Sequence, residues 1–227
     1  MLPLVLDPVA ELTSLVSATP IGRRIAVGLA GVPGSGKSVM AAQLAARVNA
    51  ALGVNNAVCV VGMDGFHLPK SVLAQGVAGR EPAECFARRG APFTFDANSF
   101  VSSLREVLAG ASAWPDFDHA RGDPEPGAII IPADTRMLIV EGIYVLLNEE
   151  PWCAVRSLLS RRWFLDTPRA LADERLAKRH MSAWGIDEES AKARIALNDG
   201  PNGDIVVASS ESADARVLPD PNGISLL

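Results

Sequence analysis

An apolar stretch, Ile25 to Ala30 (IAVGLA), runs without a break into Gly31 to Ser38 (GVPGSGKS), and Met40, Leu44, Val48 and Leu52 then recur every four residues. Few folds accommodate that order. The stretch reads as a strand buried on both faces, and the four-residue rhythm predicts a helix from Lys37 to Leu52. A second β-rich run, Ala57 to Met63 (AVCVVGM), closes a βαβ unit, which requires a parallel sheet with a right-handed crossover. The loop between strand and helix satisfies G-x-x-x-x-G-K-[ST] in the context that gives the pattern its meaning. Gly31, Val32, Pro33, Gly34, Ser35, Gly36, Lys37, Ser38 and Val39 are the candidate phosphate cradle. The glycines let N–H groups turn inward on phosphate oxygens, and the helix start adds a partial positive charge. Lys37 is placed to reach β- and γ-phosphates, and the Ser38 hydroxyl to ligate Mg²⁺. A nucleoside triphosphate is the ligand this implies.

After Met63 the alternation stops, and the next buried-strand signal is Met137 to Val140 (MLIV). A single crossover needs no such length, so Asp64 to Arg136 is expected to build a separate surface beside the sheet. Within it Asp96 to Leu108 reads as a helix capped by Asp96, and Ala128 to Pro132 as a short edge strand. Arg162 to Leu165 is a further strand, and Thr167-Pro168 opens a helix with a cap and a proline at its first position. Residues 8–18 predict an amphipathic helix, and Asp187 to Leu197 another. The Gly-Pro-Asn-Gly segment at 200–203 reads as a turn, with Ile205 to Ala208 and Arg216 to Leu218 as short closing strands. The expected architecture is one α/β domain over 1–227 with a doubly wound, mostly parallel sheet. It carries an insert at 64–136, between the second and third core strands, and lid helices at 167–200.

Composition removes several classes. At 227 residues and 48% hydrophobic the chain is large enough to bury a core without staples. Cys59, Cys85 and Cys153 are odd in number and contain no CxxC pair, which argues against a disulfide framework or a zinc site and for a cytoplasmic protein with reduced thiols. The longest uncharged stretch, Val48 to Met63, spans 16 residues and holds three asparagines, so it does not predict a membrane span. The first residues lack a basic segment before an apolar run, so no secretory signal is expected. Net charge is −5, and no basic stripe exceeds an arginine pair, so nucleic acid is not an expected partner.

Two carboxylates end core strands: Asp64 follows the second, and Glu141 follows the strand at 137–140. Ligands in such sheets sit beyond the carboxyl ends of the strands, so Lys37, Ser38, Asp64 and Glu141 are expected in one cleft. Carboxylates beside a triphosphate hold a metal or accept a hydroxyl proton; either residue could equally cap its strand end. A guanine-reading Asn-Lys-x-Asp is absent, which excludes the usual GTPases.

Asp64-Gly65-Phe66-His67 and Val140-Glu141-Gly142-Ile143-Tyr144 resemble motifs of the uridine kinase, phosphoribulokinase and bacterial pantothenate kinase superfamily. Pro115-Asp116-Phe117-Asp118-His119, the stretch from Arg88 to Asp96, and Asn198-Asp199-Gly200-Pro201-Asn202 are similar in order and spacing. The resemblance covers about Ile25 to Ala208. It implies an ATP- and Mg²⁺-dependent kinase acting on a small-molecule alcohol, with sugar (fructose-like) or nucleoside acceptors ahead of pantothenate-like or phosphosugar ones. It implies Asp64 as base or acceptor-orienting carboxylate, Glu141 in place of a Walker B aspartate, and Ser38, Asp64 and Glu141 as the metal-side residues. Arg175 and Arg179, one helical turn apart, match its lid arginines, where guanidinium groups meet the transferring phosphoryl group. Glu174 and Lys178 on the same helix could instead make that face a solvated ion-pair surface.

Around the acceptor the candidates are Phe66, His67, Arg88, Arg89, His119, Arg121 and Tyr144, with Phe93 as a further wall. Arg121 and Asp118 could simply pair with each other. Asn202 and Asp204 fit either the adenine side or turn chemistry. A homodimer is the candidate assembly, and a regulatory ATP-binding module is the competing class.

Overall fold

Five parallel strands carry the molecule. The structure is a computed structural model that describes residues 2–118 and 120–219. The strands are β1 (Ile25–Ala30), β2 (Val58–Gly62), β5 (Met137–Glu141), β6 (Arg161–Leu165) and β7 (Ala215–Val217), in the order β2-β5-β1-β6-β7. Every neighbouring pair is parallel. The first βαβ unit is therefore parallel as expected, but β5 lies between its two strands. That register sets Leu29 beside Glu141, and Gly62 beside Glu141 on the other side. Glu141 thus stands between the strand feeding the glycine loop and the strand delivering Asp64.

Five of the six β1 residues are buried, as a central strand covered on both faces requires. On one face lie α1 (Pro8–Ala18) and α2 (Lys37–Leu52). Leu12, Val16, Met40, Leu44 and Val48 meet Val27, Leu29 and Trp163 there. Asp7 caps α1 through the Ala10 N–H, and Gly53 ends α2 in the left-handed region. On the opposite face Phe66, Phe100, Leu104, Trp114, Tyr144 and Trp152 pack against Ala26, Leu138 and Val140. Each fully buried side chain of this size contributes about 1.5–3 kcal/mol, so this aromatic layer anchors the insert firmly.

The insert contains α3 (Lys70–Leu73), α4 (Pro82–Ala87), α5 (Ala97–Leu108) and an antiparallel hairpin of β3 (Ala113–Asp118) and β4 (Asp123–Ile130). Asp96 caps α5 through the Ser99 N–H. The Trp114 indole donates to the Gly62 carbonyl at 2.8 Å and pins the hairpin to the end of β2. At the other end of the insert the Arg24 guanidinium donates to the carbonyls of Val107, Ala111, Pro132 and Thr135.

Beyond β6 come α6 (Arg169–Trp184), α7 (Glu188–Arg194), a π-helical turn (Ile195–Asp199) and α8 (Gly200–Ser209). Here three expectations fail. Pro168 is the N-cap of α6 rather than its first residue, and Thr167 makes no cap because its hydroxyl donates to the Ser35 carbonyl. Gly-Pro-Asn-Gly at 200–203 is the first turn of α8 rather than a loop, and 205–208 is helical rather than a strand. The chain enters already helical, and proline is tolerated in the first turn of a helix. The edge strand expected at 128–132 is the end of the longer β4. Among the described residues no helix is long and apolar enough to cross a membrane.

Candidate active site

The glycine loop owes its shape to two residues with positive φ, Gly34 (76°) and Gly36 (92°), the second being the N-cap of α2. Lys37 and Ser38 then open the helix, as phosphate binding by backbone N–H groups needs. The Ser38 hydroxyl donates to Glu141 Oε1 at 3.1 Å. Asp64 opens a short 3₁₀ turn (Asp64–Phe66) past β2 and is exposed. Gly65 is required there, because a Cβ would overlap the Pro115 carbonyl of β3.

Lys37, Glu141 and Asp64 lie within electrostatic reach of one another. Burial pushes the Lys37 ammonium down, Glu141 and Asp64 pull it up, and Arg179 lowers it further. Burial pushes the Glu141 carboxyl up; Lys37 opposes this, and Asp64 and Asp116 reinforce it. Both groups therefore hold charge at a cost when unliganded, and ligands of opposite sign relieve it: polyphosphate beside Lys37, a cation beside Glu141. For Mg²⁺ the donor set fits. Ser38, Glu141 and Asp64 offer only oxygens, as a hard cation prefers. Among the described residues no group of three or more His, Cys, Asp or Glu could cage an ion.

The α6 helix forms the opposite wall. A Cβ at Gly34 would overlap the Ala172 carbonyl, so the base of α6 lies directly on the loop. The Ser35 carbonyl accepts from Thr167 Oγ1 at 2.9 Å and from Arg175 Nη1 at 3.2 Å. Arg175 and Arg179, with Gly34, Gly36, Lys37 and Ser38, line a cleft of about 290 Å³. Glu174 and Lys178 pair at 2.6 Å on the exposed side of the same helix. The ion pair and the two cleft-lining arginines thus lie on different faces of α6.

The candidate acceptor residues separate into groups. The His67 ring packs at a tilt against Phe95 and Phe117, with centroids 4.0 and 4.9 Å away. Its Nδ1 lies 2.8 Å from the Asp64 carbonyl, an acceptor, so Nδ1 carries the proton. Phe66 and Tyr144 are buried behind the site in the aromatic layer rather than exposed as walls. The Tyr144 hydroxyl donates to the Gly90 carbonyl, and burial pushes its phenol up. Phe93 stacks under the Arg80 guanidinium. Arg89 is held by Asp123 at 3.0 Å and by the Gly122 and Leu68 carbonyls. Arg121 pairs with Asp118 at 3.3 Å, and Arg88 binds Asn198 and Asn202. Asp204 pairs with Arg169. His119 lies outside the described residues.

Sequence reasoning missed Asp116, whose charge reaches Glu141 from β3. Its signal is its place in the middle of Pro115 to His119, a polar run in which the histidine is the more distinctive residue. It missed the structural use of Asn198 and Asn202 for the opposite reason: the glycines and proline around them suggested a turn.

Comparison with known proteins agrees with this geometry. A family model described as "Phosphoribulokinase / Uridine kinase family" matches residues 26–218. The ATP-dependent kinase-like protein notR' of Aspergillus versicolor is 42% identical over 152 residues, 64% of this chain and 87% of that one. A Schizosaccharomyces pombe protein whose name suggests a uridine kinase is 38% identical over 181 residues, covering 78% and 75%. Among solved structures, a protein of Silicibacter sp. TM1040 whose name suggests a fructose transport system kinase superposes with a TM-score of 0.77. It is 30% identical, with 95% and 100% of the two chains covered.

Proposed function

The chain belongs to the phosphoribulokinase / uridine kinase family and is a kinase of it, and from that membership we propose that it transfers the γ-phosphoryl group of ATP to a hydroxyl of a small metabolite. The observation that carries the reading is the exposed Asp64 carboxylate, set at a strand end within electrostatic reach of Lys37 and Glu141. Asp64 orients the acceptor hydroxyl and accepts its proton as the new P–O bond forms and the bond to the leaving ADP oxygen breaks. Lys37 and the loop N–H groups hold the phosphates, and Arg175 and Arg179 neutralise charge on the moving phosphoryl group. Bound Mg²⁺, held on the side of Ser38 and Glu141, would supply further neutralisation of the phosphates. Positioning and charge account for the catalysis.

A sugar-like polyol is the preferred acceptor class, supported by the polar His67, Lys37 and Glu141 beside Asp64 and by the name of the Silicibacter relative. A nucleoside is the second reading, favoured by the His67, Phe95 and Phe117 group and the name of the S. pombe relative. Free Cys59, Cys85 and Cys153 suit a reducing, cytoplasmic setting. The test is ADP release across sugars, nucleosides and pantothenate-like alcohols. With the best acceptor, Asp64→Asn is expected to lower kcat at least ~10²-fold while the KM for ATP stays within a few-fold. Undiminished activity in that variant, with no alcohol accelerating ADP release, would instead support a regulatory ATP-binding module.

A further inference from the structure

Three arginines of the insert were candidates for holding the acceptor, and their surroundings differ. Arg89 is half-buried against Asp123, and Arg121 is exposed and pairs with Asp118. Arg88 has no carboxylate within ion-pair distance among the described residues. Its Nε donates to Asn198 Oδ1 and its Nη2 to Asn202 Oδ1, both at 3.2 Å.

Those amides are fixed. Asn198 and Asn202 are 4% and 2% exposed. Asn198 Nδ2 donates to the Arg89 carbonyl at 2.8 Å, which turns its oxygen toward Arg88, and Asn202 Nδ2 donates to that same oxygen at 3.4 Å. Asp199, between them in sequence, turns to His180 Nε2 at 2.9 Å. Two neutral oxygens orient the guanidinium without cancelling its charge. Of its five N–H groups two are engaged, and the Nη1–Nη2 edge keeps a parallel pair of donors. A half-buried cation held this way lacks its anion.

The geometry points to an acceptor that carries a carboxylate, seated on that edge of Arg88 while its hydroxyl meets Asp64. Arg88 belongs to the insert, and Asn198 and Asn202 to the segment that follows the lid helix, so the anion would lie where these two walls of the cleft join. Asp64, Asp116 and Glu141 crowd the reacting end and repel an anion there, so the acceptor can enter in one sense only. The fork matches a planar monoanion; a phosphate monoester carries about −1.5 to −2 and calls for more than one cation. Within the sugar-like polyols proposed above, the class is therefore the polyhydroxy acid; a neutral sugar, a nucleoside and a phosphosugar are the outcomes the test sets against it.

This rests on the kinase reading, and the experiment separates the two. ADP release is measured with matched sets: gluconate, glucose and glucose 6-phosphate; glycerate, glycerol and glycerol 3-phosphate; and with fructose and uridine. The expected result is that an acid exceeds its neutral partner at least ~10-fold in kcat/KM, the scale of one charge-assisted hydrogen-bond pair. Arg88→Gln is expected to remove that advantage through KM, and Arg88→Lys to restore part of it. Better turnover of a neutral sugar, of uridine or of a phosphosugar would overturn the carboxylate and leave the kinase standing; no stimulation by any compound would overturn both. The comparison among ligands needs no variant, so it stands even where Arg88→Gln fails to fold.

Discussion

Arg175 and Arg179 face one cleft from adjacent turns of one helix, yet they are bound into it differently. Arg175 is half-buried and its Nη1 holds the Ser35 carbonyl of the glycine loop, whereas Arg179 is exposed and acts on Lys37 only through its charge. Their replacements should therefore separate in steady-state kinetics. Arg179→Ala is expected to lower kcat at least ~10²-fold with little change in the KM for ATP, as loss of a cation acting only in the transition state does. Arg175→Ala removes a cation and a support of the loop together, so kcat falls and the KM for ATP rises at least several-fold. Equal profiles for the two variants would show that the bond to Ser35 does nothing for the nucleotide. The i,i+4 spacing made both arginines legible as a pair; which of them also braces the loop depends on how α6 is rotated, and no local pattern encodes that.

The contact between α6 and the loop has a measurable weight at the scale of elements. Gly34 and Gly53 both have positive φ, but Gly34 presses on the Ala172 carbonyl while Gly53 faces open space. Gly53→Ala is expected to cost only left-handed backbone strain, about 1–2 kcal/mol. Gly34→Ala adds the displacement of α6, so its loss of stability should be larger and accompanied by a clear loss of ATP affinity, read by calorimetry on both variants. Elements with strong periodicity were legible: β1, α2 and the Asp96-capped α5 fall where the apolar spacing and caps put them. The hairpin strand β3 was not, because Pro115, Asp116 and Asp118 interrupt any apolar alternation and Trp114, the residue that fixes it, is a single buried anchor. For α8 the misleading signal was local: 200–203 contain two glycines and a proline, while the π turn that carries the helix into them is set by tertiary packing.

At the scale of the whole molecule, the start of the chain meets the last strand of the open sheet. β7 pairs with β6, and residues near the start of the chain bond to Arg216 from its outer side, Val5 N–H to the Arg216 carbonyl and Arg216 N–H to that of Pro3. Asp214 secures the junction: its carboxylate accepts from the Arg162 backbone N–H at 3.0 Å and pairs with the Arg162 guanidinium. The hydrogen bonds from Arg162 hold this carboxyl below the ordinary carboxylate value of 3.8. A depressed folded-state value means stability fully present above the unfolded pKa and lost as pH falls through the folded one. Asp214→Asn is expected to lower stability by about 1–2 kcal/mol near neutrality, a drop of about 2–8 °C in Tm. The difference from the unaltered protein should shrink in acid; a difference that persists at low pH would assign the effect to packing.

The insert departs from the tip of β2, where Trp114 ties it down, and returns below β5, where one guanidinium, that of Arg24, gathers four carbonyls. Between those two knots lie Asp64, His67, Arg88 and Arg89, and outside them lie the glycine loop, Glu141 and the two arginines of α6. On the proposed reading, side chains between the knots can change while the strands that carry the glycine loop and Glu141 stay as they are.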